Sequence, residues 1–293
     1  SLVSFCTLRL TNALDGVSES LFLNSPVPSI TGSYTSATGV FDLRASAAGG
    51  AQPASSFEFA LSQVFYRNTN QNPTTATNRL IEITCTDSTA SVSNLVTSEV
   101  ILVARNDAPA IDLNGASPGI NQDVVVSFTE GNAPVSLIDP SLLILSDIDS
   151  TAFTQCLISL TNAQDGALEL LGATDTASIG ASFNPLTRQL ILRSSSASGS
   201  PLSEFATILS SVTYQHQGNN PTVLPNRVVS IFCFDFPNPS TDPSLSTQTA
   251  TIQISIQAVS NAPTIDLNGP DAGSDFVAST SFVEDSNPVN VIG

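Results

Sequence analysis

CTLRLTNALDG, from Cys6 to Gly16, returns as CLISLTNAQDG, from Cys156 to Gly166. Each copy reads as a β-strand opened by a cysteine and closed by Asp-Gly, a favoured hairpin pair. Further along, YRNTNQNPTTATNRLIEITCTD (Tyr66 to Asp87) answers YQHQGNNPTVLPNRVVSIFCFD (Tyr214 to Asp235). NDAPAIDLNG (Asn106 to Gly115) then answers SNAPTIDLNG (Ser260 to Gly269). The offset drifts only from 148 to 154 residues, and the order of the matches never changes. A unit of about 150 residues can bury its own core. Repeated modules build length, stiffness or multivalency, whereas a catalytic site seldom needs copying.

The register of the repeat divides the chain. Residues 1–105 read as a first unit without its opening strands, 106–259 as a complete second unit, and 260–293 as the opening of a third. SFVEDSNPVNVIG, Ser281 to Gly293, aligns with SFTEGNAPVSLID, Ser127 to Asp139. Two expectations follow. One is an excerpt of a longer array. The other is donor-strand assembly, in which the tail of one copy completes the first unit of the next and an open filament results.

The four cysteines fall at equivalent places, each in a strand-like run. Cys6 with Cys85 and Cys156 with Cys233 are separated by 79 and 77 residues, which reads as one disulfide per unit pinning a sandwich. Closing a loop of that length stabilises by about 4 kcal/mol in the chain-entropy model. Disulfides point to an extracellular or secretory setting. One histidine and no Cys-x-x-Cys leave little from which to build a zinc site.

The formal charge is −17, and all eight basic residues are arginine. Nucleic acid is excluded as a partner, because little here neutralises phosphates. No apolar run approaches the ~20 residues of a transmembrane helix, so membrane insertion of this segment is not expected. An acidic surface suits oxygen-seeking divalent cations, calcium above all; plain solubility explains it equally. Every near-match to an N-glycosylation sequon (Asn72-Pro-Thr, Asn220-Pro-Thr, Asn238-Pro-Ser) is blocked by proline.

Within the second unit, Asp123 to Glu130, Phe153 to Thr161, Val212 to His216, Arg227 to Phe236 and Thr247 to Val259 read as strands. Ser182 to Arg193 reads as a hairpin turning at Asn184-Pro185. Pro201 to Ser210 is the helical candidate, with Leu202, Phe205 and Leu209 at helical spacing behind a proline. The fold expected is all-β: tandem Greek-key sandwiches with one short helix per repeat. Arg79 and Arg227 recur and invite a carboxylate partner. Ile111 to Gly115 reads as a strand entering an Asn-Gly turn, with Asp112 and Asn114 on one side.

SFTEGNAPVSLIDPSLLILSDIDS, followed by the junctions Arg-Asn-Asp-Ala-Pro and Ser-Asn-Ala-Pro, resembles a cadherin-like tandem repeat over nearly all of each unit. That resemblance implies calcium held where neighbouring units meet. Asn106, Asp107, Asp147, Asp149 and Asp235 match the ligand positions at the first junction, and Glu130 with Asn261 those at the far one. The departures are Arg105 in place of a linker aspartate, no mid-domain Asp-Arg-Glu, and longer units. No catalytic constellation emerges: His216 is replaced by Asn68 in the other copy, and no Gly-x-Ser-x-Gly exists. The expected function is an extracellular structural or adhesive module of a rod or filament, not an enzyme. Its partners are copies of itself or neighbouring repeats, head-to-tail or lateral. The alternative is a calcium-dependent module that binds glycans or another ligand.

Overall fold

The computed structural model describes residues 2–46, 50–115, 124–263, 283–285 and 287–288. Every second residue of Arg227–Asp235 is buried, from Arg227 through Val229, Ile231 and Cys233 to Asp235. Ala250–Gln257 alternates in the same way until its exposed final residue. Period-two burial is the mark of strands with one face on a core.

The first unit contains β1 (Leu2–Leu10), β2 (Glu19–Leu23), β3 (Ile30–Thr35), β4 (Val40–Ala45), β5 (Gln52–Pro53), α1 (Ala54–Ser62), β6 (Val64–Asn68), β7 (Arg79–Asp87) and β8 (Val96–Val100). Four further strands open the second unit: β9 (Ala110–Asp112), β10 (Val124–Thr129), β11 (Val135–Ser136) and β12 (Ile144–Ser146). The earlier order then recurs as β13 (Ala152–Leu160), β14 (Glu169–Gly172), β15 (Ile179–Asn184), β16 (Gln189–Ser194), β17 (Ser200–Pro201), α2 (Leu202–Ser210), β18 (Thr213–His216), β19 (Arg227–Asp235) and β20 (Ala250–Gln257).

These are all-β Greek-key sandwiches with one short helix each. In the second unit the large sheet runs β10-β20-β19-β13-β16-β15, with β17 beside the start of β13, and the small sheet runs β11-β18-β14. The first unit repeats this with β3-β4-β1-β7-β8, β5 beside β1, and β2 paired with β6. β10 lies parallel on β20, the chain turns through Gly131 at φ 77°, and β11 joins β18 on the opposite sheet. Across the core of the second unit, Phe128 meets Tyr214 edge-on at 5.4 Å. Each unit has its own apolar core, one running from Cys6 to Ile81 and the other from Ile111 to Ile256.

The expected helix is α2, which buries Phe205, Ile208 and Leu209 behind Pro201. The hairpin at Asn184-Pro185 is β15–β16. Ala110–Asp112 is a strand, and the Asn114 N–H bonds to Asp112 Oδ1 at 2.9 Å in the turn that follows.

Both disulfides form, Cys6–Cys85 and Cys156–Cys233. They do not pin sheet to sheet. Cys6 lies directly opposite Cys85 on β1 and β7, and Cys156 opposite Cys233 on β13 and β19, so each bond joins neighbouring strands of one sheet. The Greek-key path makes strands distant in sequence adjacent in space. The Asp-Gly pairs also differ from expectation. Gly16 and Gly166 take φ 59° and 57° and open single 3-10 turns, and the strands on either side enter different sheets instead of forming a hairpin. The expected third repeat lies almost wholly outside the described residues, and strand donation by Ser260–Gly293 with it.

Candidate functional site

Two constellations of charge stand out, one at each end of a unit. The first explains the repeated Leu-Thr-Asn-Ala-x-Asp-Gly. In the second unit, Asn162 Oδ1 accepts the Val228 N–H at 2.6 Å, while its Nδ2 donates to Asn226 O at 2.8 Å. This clamps the turn beside Arg227, which is fully buried. Arg227 Nε donates to Glu169 Oε1, and Nη2 donates to Asp165 Oδ2 at 2.7 Å. Glu169 Oε1 also accepts Tyr214 OH at 2.9 Å, and Oε2 accepts the N–H groups of Gln164 and Asp165 at 2.8 and 3.2 Å. Asp165 takes the N–H and hydroxyl of Thr222 at 2.9 and 2.6 Å, and His216 Nε2 lies 3.1 Å from it. Burial pushes the Asp165 carboxyl up, but the Thr222 donors and Arg227 hold it below its ordinary value. Burial, then Glu169, pushes the Tyr214 phenol up.

The first unit builds a corresponding network in which Asn68 stands in for His216 and the tyrosine–glutamate bond is missing. Arg79 Nε donates to Glu19 Oε1 at 2.7 Å, and Nη2 donates to Asp15 Oδ2 at 2.8 Å. Thr74 and Asn68 donate to Asp15, and although burial opposes them they hold its carboxyl down at about 2. Asn68 replaces His216 atom for atom. Its Nδ2 reaches Asp15 at 2.6 Å and its Oδ1 accepts the Asn70 N–H at 2.9 Å. His216 Nδ1 accepts the Gly218 N–H at 3.0 Å. Unlike their counterparts Glu169 Oε2 and Tyr214 OH, Glu19 Oε2 and Tyr66 OH are buried without a partner.

The second constellation is the junction between units. Asn106 is fastened on three sides. Its N–H donates to Asp242 at 3.0 Å, its Nδ2 to Asp235 at 2.7 Å, and its Oδ1 accepts the Asn238 N–H at 2.8 Å. The Asp107 N–H donates to Asp149 Oδ2 at 3.0 Å. Asp147 Oδ1 accepts the N–H groups of Asp149 and Ser150 at 3.2 and 3.3 Å. Asp147 Oδ2 and Asp149 Oδ1 are buried without a protein donor. Burial, reinforced by the neighbouring Asp149, pushes the Asp147 carboxyl up to about 6. Asn72 Nδ2 of the first unit donates to Ile148 O of this loop at 3.2 Å. Alongside Asp149, a cleft of about 420 Å³ is lined by Ser150, Thr151, Ser198 and Ser240 with Phe236 and Asn238.

At the far junction Glu130 is bound to protein donors on both oxygens. Asn261 Nδ2 reaches Oε1 at 2.9 Å and the Val259 N–H reaches Oε2 at 2.8 Å, which lowers the Glu130 pKa. The structure thus brings Asn106, Asp107, Asp149 and Asp235 together, with Asp147 beside Asp149, and separately brings Glu130 to Asn261. Asp235 is engaged by Ser244 and Leu245 besides Asn106, and Asn106 turns its amide nitrogen to it. Among the described residues, no three His, Cys, Asp or Glu side chains gather into a metal-binding group. The chemistry of the Asp147–Asp149 pair fits a cation, since its two orphaned oxygens are hard donors.

Sequence reasoning missed Asp15, Glu19, Asp165, Glu169, Asn238 and Asp242. The first four carried a usable signal, because Asp and Glu recur four residues apart in both copies. Asn238 and Asp242 sit in a loop whose counterpart in the first unit has a different sequence.

No family model matches the chain. No curated protein matches it. Among solved structures, human protocadherin-24 repeats EC1-2 align at TM-score 0.31 and 12% identity, over 84% of this chain and 85% of that one. Drosophila N-cadherin EC1-3 aligns at TM-score 0.25 and 11% identity, over 82% and 54%. The extracellular domain of protocadherin gamma B4 aligns at TM-score 0.28 and 14% identity, over 82% of this chain and 27% of that ectodomain. At such scores the likeness carries no argument. Among the described residues, no helix is long and apolar enough to cross a membrane.

Proposed function

We propose that this chain is a segment of an extracellular rod or filament, with residues 1–105, 106–259 and 260–293 serving as successive modules. The supporting observation is the fastened linker: Asn106 and Asp107 are bonded to Asp242, Asp235, Asn238 and Asp149, while Asn72 reaches across to Ile148. A short linker tied at its end to the unit that follows resists bending better than a free one. One disulfide per module suits an oxidising compartment. Calcium is the cofactor this reading assigns to the junction. Asp147 and Asp149 would hold it through their orphaned oxygens, with Asp107, Asn106 and Asp235 adjacent, and its charge would relieve the repulsion between the pair. Glu130 and Asn261 would do the equivalent at the far junction. Small-angle scattering and negative-stain imaging of the chain, in calcium and then in chelator, test this. The expected result is an extended particle that becomes more flexible on chelation. A particle that bends freely in both conditions overturns the rod, and one equally stiff in both removes calcium.

The cleft beside Asp149, lined largely by small polar residues, favours a second reading, a calcium-dependent glycan-binding module. A glycan array probed with and without calcium separates the two.

A further inference from the structure

The outer surfaces of the two units differ where their sequences otherwise correspond. On the outward face of β2–β6, Phe22 is paired with Phe65, their ring centroids 6.3 Å apart, and the Arg67 guanidinium lies 5.5 Å above the Phe22 ring. Phe65 is 46% exposed. β2 continues into Val27 and Pro28, which with Phe59 of α1 line an open crevice of about 320 Å³; Phe59 is 51% exposed. The corresponding positions of the second unit hold Gly172, Thr213, Gln215 and Thr207. The aromatic surface is therefore not demanded by the fold, because the second unit is built without it.

The converse holds for charge. Where the first unit has Ser25 and Ser56, the second has Asp175, which is exposed, and Glu204, which bonds to Ser178. Residues 1–105 carry seven acidic residues against five arginines, and residues 106–259 carry thirteen against three. One unit is nearly neutral with exposed aromatic rings and an exposed Arg67; the other is strongly acidic as a whole and carries Asp175 and Glu204 on the matching face. Two first units meeting face to face would bring Arg67 against Arg67. A first unit meeting a second unit brings arginine to carboxylate and puts the exposed rings out of water.

We propose that the Phe22–Phe65–Arg67 face, extended by Phe59, is an interaction surface, and that its partner is the Asp175–Glu204 face of the second unit of another copy of this chain. The contact is lateral and staggered by one unit. This rests on the rod reading and adds to it a way for rods to bundle.

The test is sedimentation velocity of the whole chain over a wide concentration range, at low and at 0.5 M salt. The triple variant Phe59→Thr, Phe65→Thr, Arg67→Gln installs residues that the second unit already tolerates. Asp175→Ser, Glu204→Ser installs those of the first unit. Circular dichroism of each variant checks folding. The wild type is expected to self-associate, at least tenfold more weakly at high salt and at least tenfold more weakly in either variant. A wild type that stays monomeric throughout overturns the proposal. So does association that survives the triple variant, or that falls in the triple variant but not in the acidic one. A monomer that is nonetheless a chelator-sensitive rod in scattering leaves the rod reading intact and removes only the lateral contact.

Discussion

The Arg227 network and the Asp147–Asp149 pair both take carboxylates out of water, by opposite means. Around Arg227, Glu169 and Asp165 receive donors on every side from Tyr214, Thr222, His216 and the backbone. At the junction, each aspartate keeps one buried oxygen without a protein donor. The first arrangement is completed by the chain itself, and breaking it leaves a buried charge uncompensated. The second is incomplete as a protein structure, and burial with like-charge proximity raises a carboxyl pKa. Buried charge thus holds the fold together at one site, while at the other two carboxylate oxygens stay without a protein partner.

The largest effect should come from Arg227→Met, which leaves Glu169 and Asp165 facing each other. We expect a loss of about 3–5 kcal/mol in urea unfolding, partly recovered when Glu169→Gln is added. A junction variant such as Asp149→Asn should show no comparable loss. Equal losses would mean that the junction pair is as integral to the fold as the Arg227 network.

The next effect compares the two networks. Tyr214→Phe removes a hydroxyl that donates to Glu169 and should cost about 1.5–3 kcal/mol. Tyr66→Phe removes one that has no partner and should stay within about 0.5 kcal/mol. Equal losses would mean that a bound water completes the first network.

Smaller again is the pH response of the junction. The Asp147 carboxyl lies at about 6 in the folded chain, above its ordinary 3.8. The folded state therefore binds this proton more tightly than the unfolded state. The stabilisation is fully present below 3.8 and is lost as pH rises through about 6. Discounted for solvent screening of a part-exposed pair, it amounts to about 1 kcal/mol. Asp147→Asn should flatten that slope in denaturation curves recorded in chelator between those two values. A slope unchanged by the substitution would place the titrating group elsewhere.

The smallest expected effect is His216→Asn. Asn68 already makes both corresponding bonds in the first unit, so stability at neutral pH should change by no more than about 0.5 kcal/mol. A larger loss would show that the imidazole does something the amide cannot.

Much of the fold was legible because the chain states it twice. Recurrence of the cysteines at a steady offset exposed the disulfide partners, and helical spacing behind Pro201 exposed α2. What stayed hidden depends on contacts across the Greek key. Glu169 and Arg227 are 58 residues apart, and nothing local tells a buried glutamate from a solvated one. Asp165-Gly166 has the chemistry of a hairpin, but the Asp165 side chain is taken by Arg227 and Thr222, so the chain crosses to the other sheet. The junction candidates came from the cadherin-like resemblance, through Asn106-Asp107 and Asp147-x-Asp149, while Asn238 and Asp242 enter from a loop whose counterpart differs in sequence.

The disulfides also bear on what happens when the molecule is pulled. Each joins directly opposed residues of neighbouring strands, so the segment between its cysteines is a closed loop under tension. Even a fully unravelled second unit cannot pay out the 77-residue span between Cys156 and Cys233. At about 3.4 Å per residue that withholds roughly 260 Å of contour length. A chain of such units would lengthen in short, bounded steps under load and would yield its full length only in a reducing medium.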